Sequence, residues 1–252
     1  MLAPSGYSIC MTAIALVTGA TRGVGLAAAR HLGVLGITTL VGARDPEAGK
    51  RVAEQLRDDG ADAEFLELDV TDQDTTAAAR DGVERRHGRL DILVNNAGVL
   101  PEASADQAMV PLQLAMFRPT FETNVFGTVA VTEAMVPLLH KSTAGRIVNV
   151  SSTLGSLTLQ TDPDWPSNVV TPAYQSSKSA LNAITVALAK LLTDVTVVSV
   201  CPGFVQTDIH PPSNRANATT TPDEAGEFVA RVATDSAVRT GTFVDRNGTV
   251  PW

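Results

Sequence analysis

Cysteine is scarce in this chain: two residues in 252. Cys10 and Cys201 lie far apart in apolar, strand-like surroundings. Neither a disulfide framework nor a zinc spacing is available, and both read as buried reduced thiols. Histidine is nearly as rare. The four present (His31, His87, His140 and His210) are scattered without metal-ligand spacing. The first three fall on or near helix ends, where solvated positions are expected, and His210 reads more simply as a loop residue than as a substrate contact. Basic charge is short as well, with 19 Lys and Arg against 27 Asp and Glu and a formal net charge of −8. That balance speaks against a general nucleic-acid or anionic-membrane binder, since both need a basic face. It leaves room for an anionic cofactor, which a local pocket of arginine and backbone N–H groups can hold. No apolar run is long enough to span a bilayer, and the opening MLAPSGYSIC lacks the basic region of a secretory signal. Three glycosylation sequons, at Asn149, Asn217 and Asn247, therefore read as chance matches. A cytoplasmic location is the expectation, with residues 1–10 as a flexible extension of no assigned function.

What the chain does have is an alternation of short β-branched runs with longer Ala/Leu-rich segments. The runs fall at 13–18, 37–43, 63–70, 90–95, 145–150, 195–201 and 241–245. Helical spacing marks 24–35, 46–59, 72–87, 114–140, 173–192 and 222–234. Near-continuous apolar strands suit a parallel sheet covered on both faces, and the helices supply the right-handed crossovers. The predicted fold class is α/β: a Rossmann-type, doubly wound, mostly parallel seven-stranded sheet with helices on both faces. Asp45–Pro46 signals a helix start and Gly60 its end, while Asp69, Thr71 and Asp72 close the third strand and offer an N-cap for the next helix. Without a Pro/Ser-rich linker, residues 11–252 read as a single domain. Residues 155–172 and 208–221 look irregular, as lids and binding loops do.

The first strand runs into Thr18–Gly19–Ala20–Thr21–Arg22–Gly23–Val24–Gly25. Glycines there let the backbone reverse and approach a pyrophosphate, and the helix that follows offers free N–H groups and its positive end. Tyr174 and Lys178, four apart on a helix, share one face. An ordinary tyrosine has a pKa of about 10 and is a poor base near neutrality, but an adjacent ammonium would lower it. Such a tyrosine exchanges a proton with a carbonyl or alcohol oxygen. A serine after the fifth strand would steady charge on that oxygen.

The glycine turn, Asn95–Asn96–Ala97–Gly98, Asn124, Ser152, Tyr174-x-x-x-Lys178 and Pro202–Gly203 occur in the order seen in the short-chain dehydrogenase/reductase family. The chain resembles its compact single-domain branch over roughly residues 12 to 248. The resemblance implies a nicotinamide-dependent oxidoreductase with Asn124, Ser152, Tyr174 and Lys178 as catalytic residues. Lys178 would also hold the nicotinamide ribose, and Asn124 would order a water on a proton path to Lys178. Cofactor contacts are implied at Gly19, Thr21, Arg22, Gly23, Val24 and Gly25, and at the adenine-binding Asp69 with Val70. Asn96, Ala97 and Gly98 follow, with Pro202, Gly203, Val205 and Thr207 on the nicotinamide side. Ser151 is equally near the expected serine position; Ser152 is preferred because the family's serine follows the strand there.

The second strand ends Ala43–Arg44–Asp45. Ala43 stands where the family's NAD users tend to carry Asp, and Arg44 with Arg22 would clamp a 2′-phosphate. NADP(H) is therefore the expected cofactor, with NAD(H) the alternative; Asp45 suits a helix cap better than a ribose partner. The interval from Ser152 to Tyr174 is longer than in most compact members, as in monomeric carbonyl reductases, and Trp165 within it is expected to border the substrate mouth. Residues 101–116, 155–172 and 208–221 would shape a pocket for a partly hydrophobic molecule. In the family, long helices such as 114–140 and 173–192 pair between subunits, which implies a homodimer or homotetramer. An NAD-linked alcohol dehydrogenase and a non-catalytic dinucleotide sensor are the rival functions. The sensor is disfavoured because such proteins usually lose the tyrosine or the lysine.

Overall fold

The computed structural model describes residues 12–104, 112–165 and 169–252. The expected N-terminal extension, Cys10 and parts of two pocket-forming stretches lie outside the described residues. The seven apolar runs form seven parallel strands: β1 (Ile14–Thr18), β2 (Thr38–Ala43), β3 (Ala63–Glu67), β4 (Ile92–Asn95), β5 (Arg146–Val150), β6 (Thr196–Val200) and β7 (Thr242–Asp245). An eighth short strand, β8 (Gly248–Thr249), pairs antiparallel with β7 and corrects the expected count of seven. The cause is local. Asn247 donates its N–H to Asp245 Oδ1 at 2.7 Å, and Gly248 takes φ 128°, so the chain folds back as a hairpin. The sheet order is β3-β2-β1-β4-β5-β6-β7-β8. The order reverses between β1 and β4, which places a crevice at the carboxyl ends of those strands.

Nine α-helical segments lie among the described residues: α1 (Gly23–Val34), α2 (Pro46–Asp58), α3 (Gln73–His87), α4 (Leu114–Phe121), α5 (Thr128–Leu139), α6 (Leu157–Gln160), α7 (Pro172–Leu191), α8 (Pro212–Arg215) and α9 (Pro222–Thr234). Because strand side chains alternate, β1 feeds two cores. Ala15 and Val17 pack with Leu32 of α1, Leu56 of α2 and Val229 of α9. Ile14 and Leu16 pack with Val83 of α3 and Val131 and Met135 of α5 on the other face. Burying a leucine such as Leu32 or Leu93 contributes about 1.5–3 kcal/mol, and both are fully buried.

The expected unbroken helix over 114–140 is divided. Between α4 and α5 the residues Glu122–Gly127 form a π-helical turn, with Pro119 just before it inside α4. Proline withholds one helical N–H, and a π turn fits an extra residue into the ladder. The two irregular stretches also contain short structure. A 3-10 turn, Thr153–Gly155, and α6 open the first, and α8 sits in the second. The second is also tied to the sheet side by a bridge between Val205 and Thr220. No helix among the described residues is long and apolar enough to cross a membrane.

Candidate functional site

The glycine turn sits at the carboxyl end of β1. Gly19 and Gly23 have φ 62° and 57°, a backbone region that other residues rarely adopt. Gly25 is needed for a different reason: a Cβ there would lie 2.3 Å from Asn96 Nδ2. Asn96 holds the turn by donating that amide to the carbonyls of Thr18 (2.9 Å) and Gly19 (3.2 Å). The Thr18 hydroxyl accepts the N–H groups of Asn96 and Ala97, both at 3.0 Å. A Cβ on Gly19 would meet Ala97, one on Gly23 would meet Thr207, and one on Gly98 would come within 4 Å of Asn124 Oδ1 and Lys178 Nζ. Segments more than 180 residues apart in sequence thus meet around one crevice.

At the end of β2, Asp45 caps α2 by accepting the N–H groups of Glu47 (3.0 Å) and Ala48 (3.2 Å). Arg44 beside it is exposed. Arg22, with its side chain 75% exposed, reaches Asp208 at 3.9 Å, and Arg215 of α8 pairs with the same carboxylate. Asp69 spends Oδ1 on the N–H and hydroxyl of Thr71, at 2.9 and 2.8 Å. Val70 is buried against Gly127, where a Cβ would stand 2.8 Å from Val70 Cγ2.

Ser152, Tyr174 and Lys178 converge where β5 ends and α7 begins. Ser151 turns into the core, its hydroxyl 2.7 Å from Asn182 Oδ1. Ser152 accepts the Leu154 N–H at 3.2 Å and stands by the Tyr174 hydroxyl. Lys178 is 4% exposed, and its Nζ lies 5.6 Å from the centre of the Tyr174 ring while donating to the Val150 carbonyl at 2.7 Å. Burial lowers the Lys178 pKa to about 8, partly opposed by nearby Cys201.

The expected acidification of Tyr174 is absent in the protein by itself. Burial, then Cys201, raise its pKa well above the ordinary value of 10, and the Ser152 hydroxyl only partly opposes them. A phenolate loses hydration there, and the lysine ammonium faces a carbonyl under the ring instead of the hydroxyl.

Asn124 lies in the π turn, fully buried. Its side chain brackets Val99, accepting that N–H at 2.8 Å and donating to that carbonyl at 3.0 Å. It also donates to Ser177 Oγ at 3.1 Å, and the Ser177 hydroxyl donates to the Tyr174 carbonyl at 2.7 Å. Beyond β6, Gly203 takes φ 94° and faces Thr220, and the Thr207 N–H bonds the Val205 carbonyl at 2.8 Å. His210 packs edge-on against Phe204, 4.9 Å between ring centres, and burial lowers its pKa. The His87 side chain is only 12% exposed beside Glu64, not solvated as expected. Trp165 is half-buried and its backbone N–H bonds the Asp162 carbonyl at 3.1 Å. Cys201 is a buried free thiol.

Two groups escaped the sequence reading. Glu102 is buried and accepts the N–H groups of Ala173 and Tyr174 at the start of α7. Under the site runs a ladder of buried side chains: Asn95 Nδ2 to Asn149 Oδ1 (2.9 Å), Asn149 Nδ2 to Thr185 Oγ1 (2.9 Å), and Thr185 with Ser199 (2.9 Å). Asparagines inside apolar strands are the one signal that could have flagged this ladder. Nothing local marks Glu102, because its partners are 71 and 72 residues away.

The site can be compared with known proteins. Residues 13–218 match the family model described as short chain dehydrogenase. A short-chain dehydrogenase/reductase of Aspergillus fumigatus is 40% identical over 175 residues, which cover 68% of this chain and 66% of that protein. The mouse carbonyl reductase [NADPH] 1 is 28% identical across 95% of this chain and 98% of its own. Among solved structures, salutaridine reductase from Papaver somniferum superposes with a TM-score of 0.80 at 29% identity, covering 92% of this chain and 99% of that one. With the glycine turn, the crossover and the Ser–Tyr–Lys cluster in one crevice, the chain belongs to the short-chain dehydrogenase/reductase family of oxidoreductases.

Proposed function

We propose that this protein is an NADP(H)-dependent reductase of ketones or aldehydes, able to run the reverse oxidation, with Tyr174 moving the proton. The observation that carries this reading is the convergence of the Tyr174 phenol, the Ser152 hydroxyl beside it and the Lys178 ammonium 5.6 Å from its ring centre, a phenol that holds its proton at neutrality and can give it to a carbonyl oxygen. Ser152 donates to the same substrate oxygen and stabilises charge there. Lys178 sits under the ring and is assigned to the ribose hydroxyls. Asn124 is assigned the ordering of a water on the path to Lys178, besides holding Val99 and Ser177 in place.

The crevice fits a dinucleotide. Arg22 supplies no side-chain cap to α1, so the first-turn N–H groups are left for an anion. The cradle would comprise Gly19, Thr21, Arg22, Gly23, Val24 and Gly25 for phosphate, and Asp69 with Val70 for adenine. Asn96, Ala97 and Gly98 complete its floor, and Pro202, Gly203, Val205 and Thr207 its nicotinamide side. A bound nicotinamide dinucleotide supplies or accepts the hydride. Preference for the phosphorylated form is supported by Arg44 standing exposed where Asp45 is engaged as a helix cap. The likeness to a relative named carbonyl reductase [NADPH] agrees with it.

Exposed Leu112, Leu114, Leu157, Val169, Val170 and Phe204 come from or adjoin the loops assigned to the pocket, and support a partly hydrophobic substrate. Phe126 and Val129, exposed on the helical segment 114–140, support a homodimer or homotetramer, which light scattering checks. The deciding experiment is Tyr174→Phe assayed with NADPH and a carbonyl panel. Turnover is expected to fall by at least about 100-fold, the low end of general acid catalysis, with NADPH binding retained. Full activity in that variant ends the reading.

A further inference from the structure

We propose that Glu102 is a positioning residue that sets the height and tilt of the first turn of α7, and with it the place of the Tyr174 hydroxyl. The inference rests on the reading of Tyr174 as the proton donor. Helix α7 begins without a local cap. Thr171 stands at the N-cap position but its side chain makes no capping bond, and Pro172 at the first helical position has no N–H to give. The Gln175 N–H is satisfied by the Thr171 carbonyl at 2.8 Å. That leaves Ala173 and Tyr174, and one carboxylate takes both: Ala173 N–H to Glu102 Oε1 at 3.0 Å, Tyr174 N–H to Glu102 Oε2 at 2.9 Å.

The two-pronged grip differs from ordinary capping in three ways. It comes from 71 residues away, from the 3-10 turn Pro101–Ser104 that follows Asn96–Gly98. Glu102 is 8% exposed, so its bonds are little diluted by water. One of the two donors belongs to Tyr174 itself. Negative charge at a helix N-terminus is favourable in general, but an aspartate at position 171 would serve stability as well. A cap at position 171 would leave that link unmade, whereas Glu102 bonds the Tyr174 N–H directly from the segment leaving β4, which lines the cofactor crevice. An error of about 1 Å in a reacting group costs on the order of 100-fold in rate.

Tyr174 and Tyr7 are the only tyrosines in the chain, so in a Tyr7→Phe background the phenolate absorbance near 295 nm reports Tyr174 alone. The full-length protein is titrated as Tyr7→Phe with Glu102→Gln, Glu102→Ala or Glu102→Ala/Thr171→Asp, with circular dichroism followed in parallel. The same proteins are assayed with NADPH and 4-nitrobenzaldehyde. In the parent, Tyr174 is expected to resist ionisation until the fold is lost. In Glu102→Ala the loosened turn hydrates the phenol, which ionises near the ordinary value of about 10 while the helical signal persists. Its kcat falls about 10- to 100-fold with the KM for NADPH changed less than about two-fold. Glu102→Gln, which keeps the shape and one acceptor, falls between. Thr171→Asp in the Glu102→Ala background restores Tm but neither the titration nor kcat. The proposal is overturned if both Glu102 variants titrate and turn over as the parent does, or if Thr171→Asp restores everything, since capping alone then suffices. Tyr174→Phe separates the two readings: full turnover there removes the acid role and leaves the titration result to judge Glu102.

Discussion

Single side chains in the crevice are governed by burial more than by their neighbours' charge. Lys178 is the clearest case, with its pKa lowered from 10.5 to about 8 mainly by desolvation. In the unfolded chain the amine keeps its proton up to about 10.4. Between about pH 8 and 10.5 the unfolded state therefore binds more protons, and stability rises with pH across that window. Below pH 8 the cost of the buried charge is present in full. Urea unfolding of wild type and Lys178→Met should show wild type gaining up to about 3 kcal/mol on the variant from pH 8 to 10.5. A difference that stays flat with pH would remove burial as the cause. A second residue-level expectation concerns Arg44. Arg44→Ala should cut the ratio of kcat/KM for NADPH over NADH by about 10- to 100-fold, the worth of a charge-assisted contact; an unchanged ratio moves phosphate recognition elsewhere. At this scale the sequence told which residue types meet, because Tyr174 and Lys178 share a helix face. It did not tell the direction of the tyrosine shift, which depends on how fully the phenol is enclosed and on Lys178 bonding Val150 instead.

Elements were legible where periodicity and caps agree. Strand β2 and helices α2 and α9 fall within a residue or two of their expected bounds, and Asp45 and Asp72 cap as their position suggested. The break at Glu122–Gly127 was not legible, since a π turn keeps nearly the same apolar spacing as the helix around it. The β8 hairpin was missed although Asn247–Gly248 is a known turn pair. A tight element contact joins the 3-10 turn after β5 to α7. A Cβ on Gly155 would sit 2.7 Å from the Lys178 backbone carbonyl carbon and from its Cβ. Gly155→Ala must push α7 and the turn apart, and a cost of about 1–3 kcal/mol is expected. Thermal unfolding checks the cost, and a decline in turnover larger than the matching loss of Tm would show that Ser152 has moved relative to Tyr174. Unchanged Tm and turnover would mean the contact yields freely.

For the whole molecule, a mostly parallel sheet covered on both faces followed from the alternation of runs; the order of strands, and with it the crevice at the reversal between β1 and β4, came from the structure. What pins those strands laterally did not follow, because it uses polar side chains in an interior where apolar ones are the rule. Asn95, Asn149 and Ser199 occupy matching positions on β4, β5 and β6. Asn149→Leu removes one partner each from Asn95, which keeps Thr132, and from Thr185, which keeps Leu181 and Ser199; a loss of about 1–3 kcal/mol is expected from the two bonds, read as a drop in urea midpoint, and a neutral result would show that neighbours re-pair. The ladder has a larger consequence. Sliding any of these three strands by a single residue turns its amide or hydroxyl to the opposite face, so the rungs work like teeth that permit one alignment. Under the proposed function the chemistry rides on that locked rack, while recognition falls to the outlying loops. A lineage carrying this frame is free to rewrite what it accepts without disturbing how it reacts.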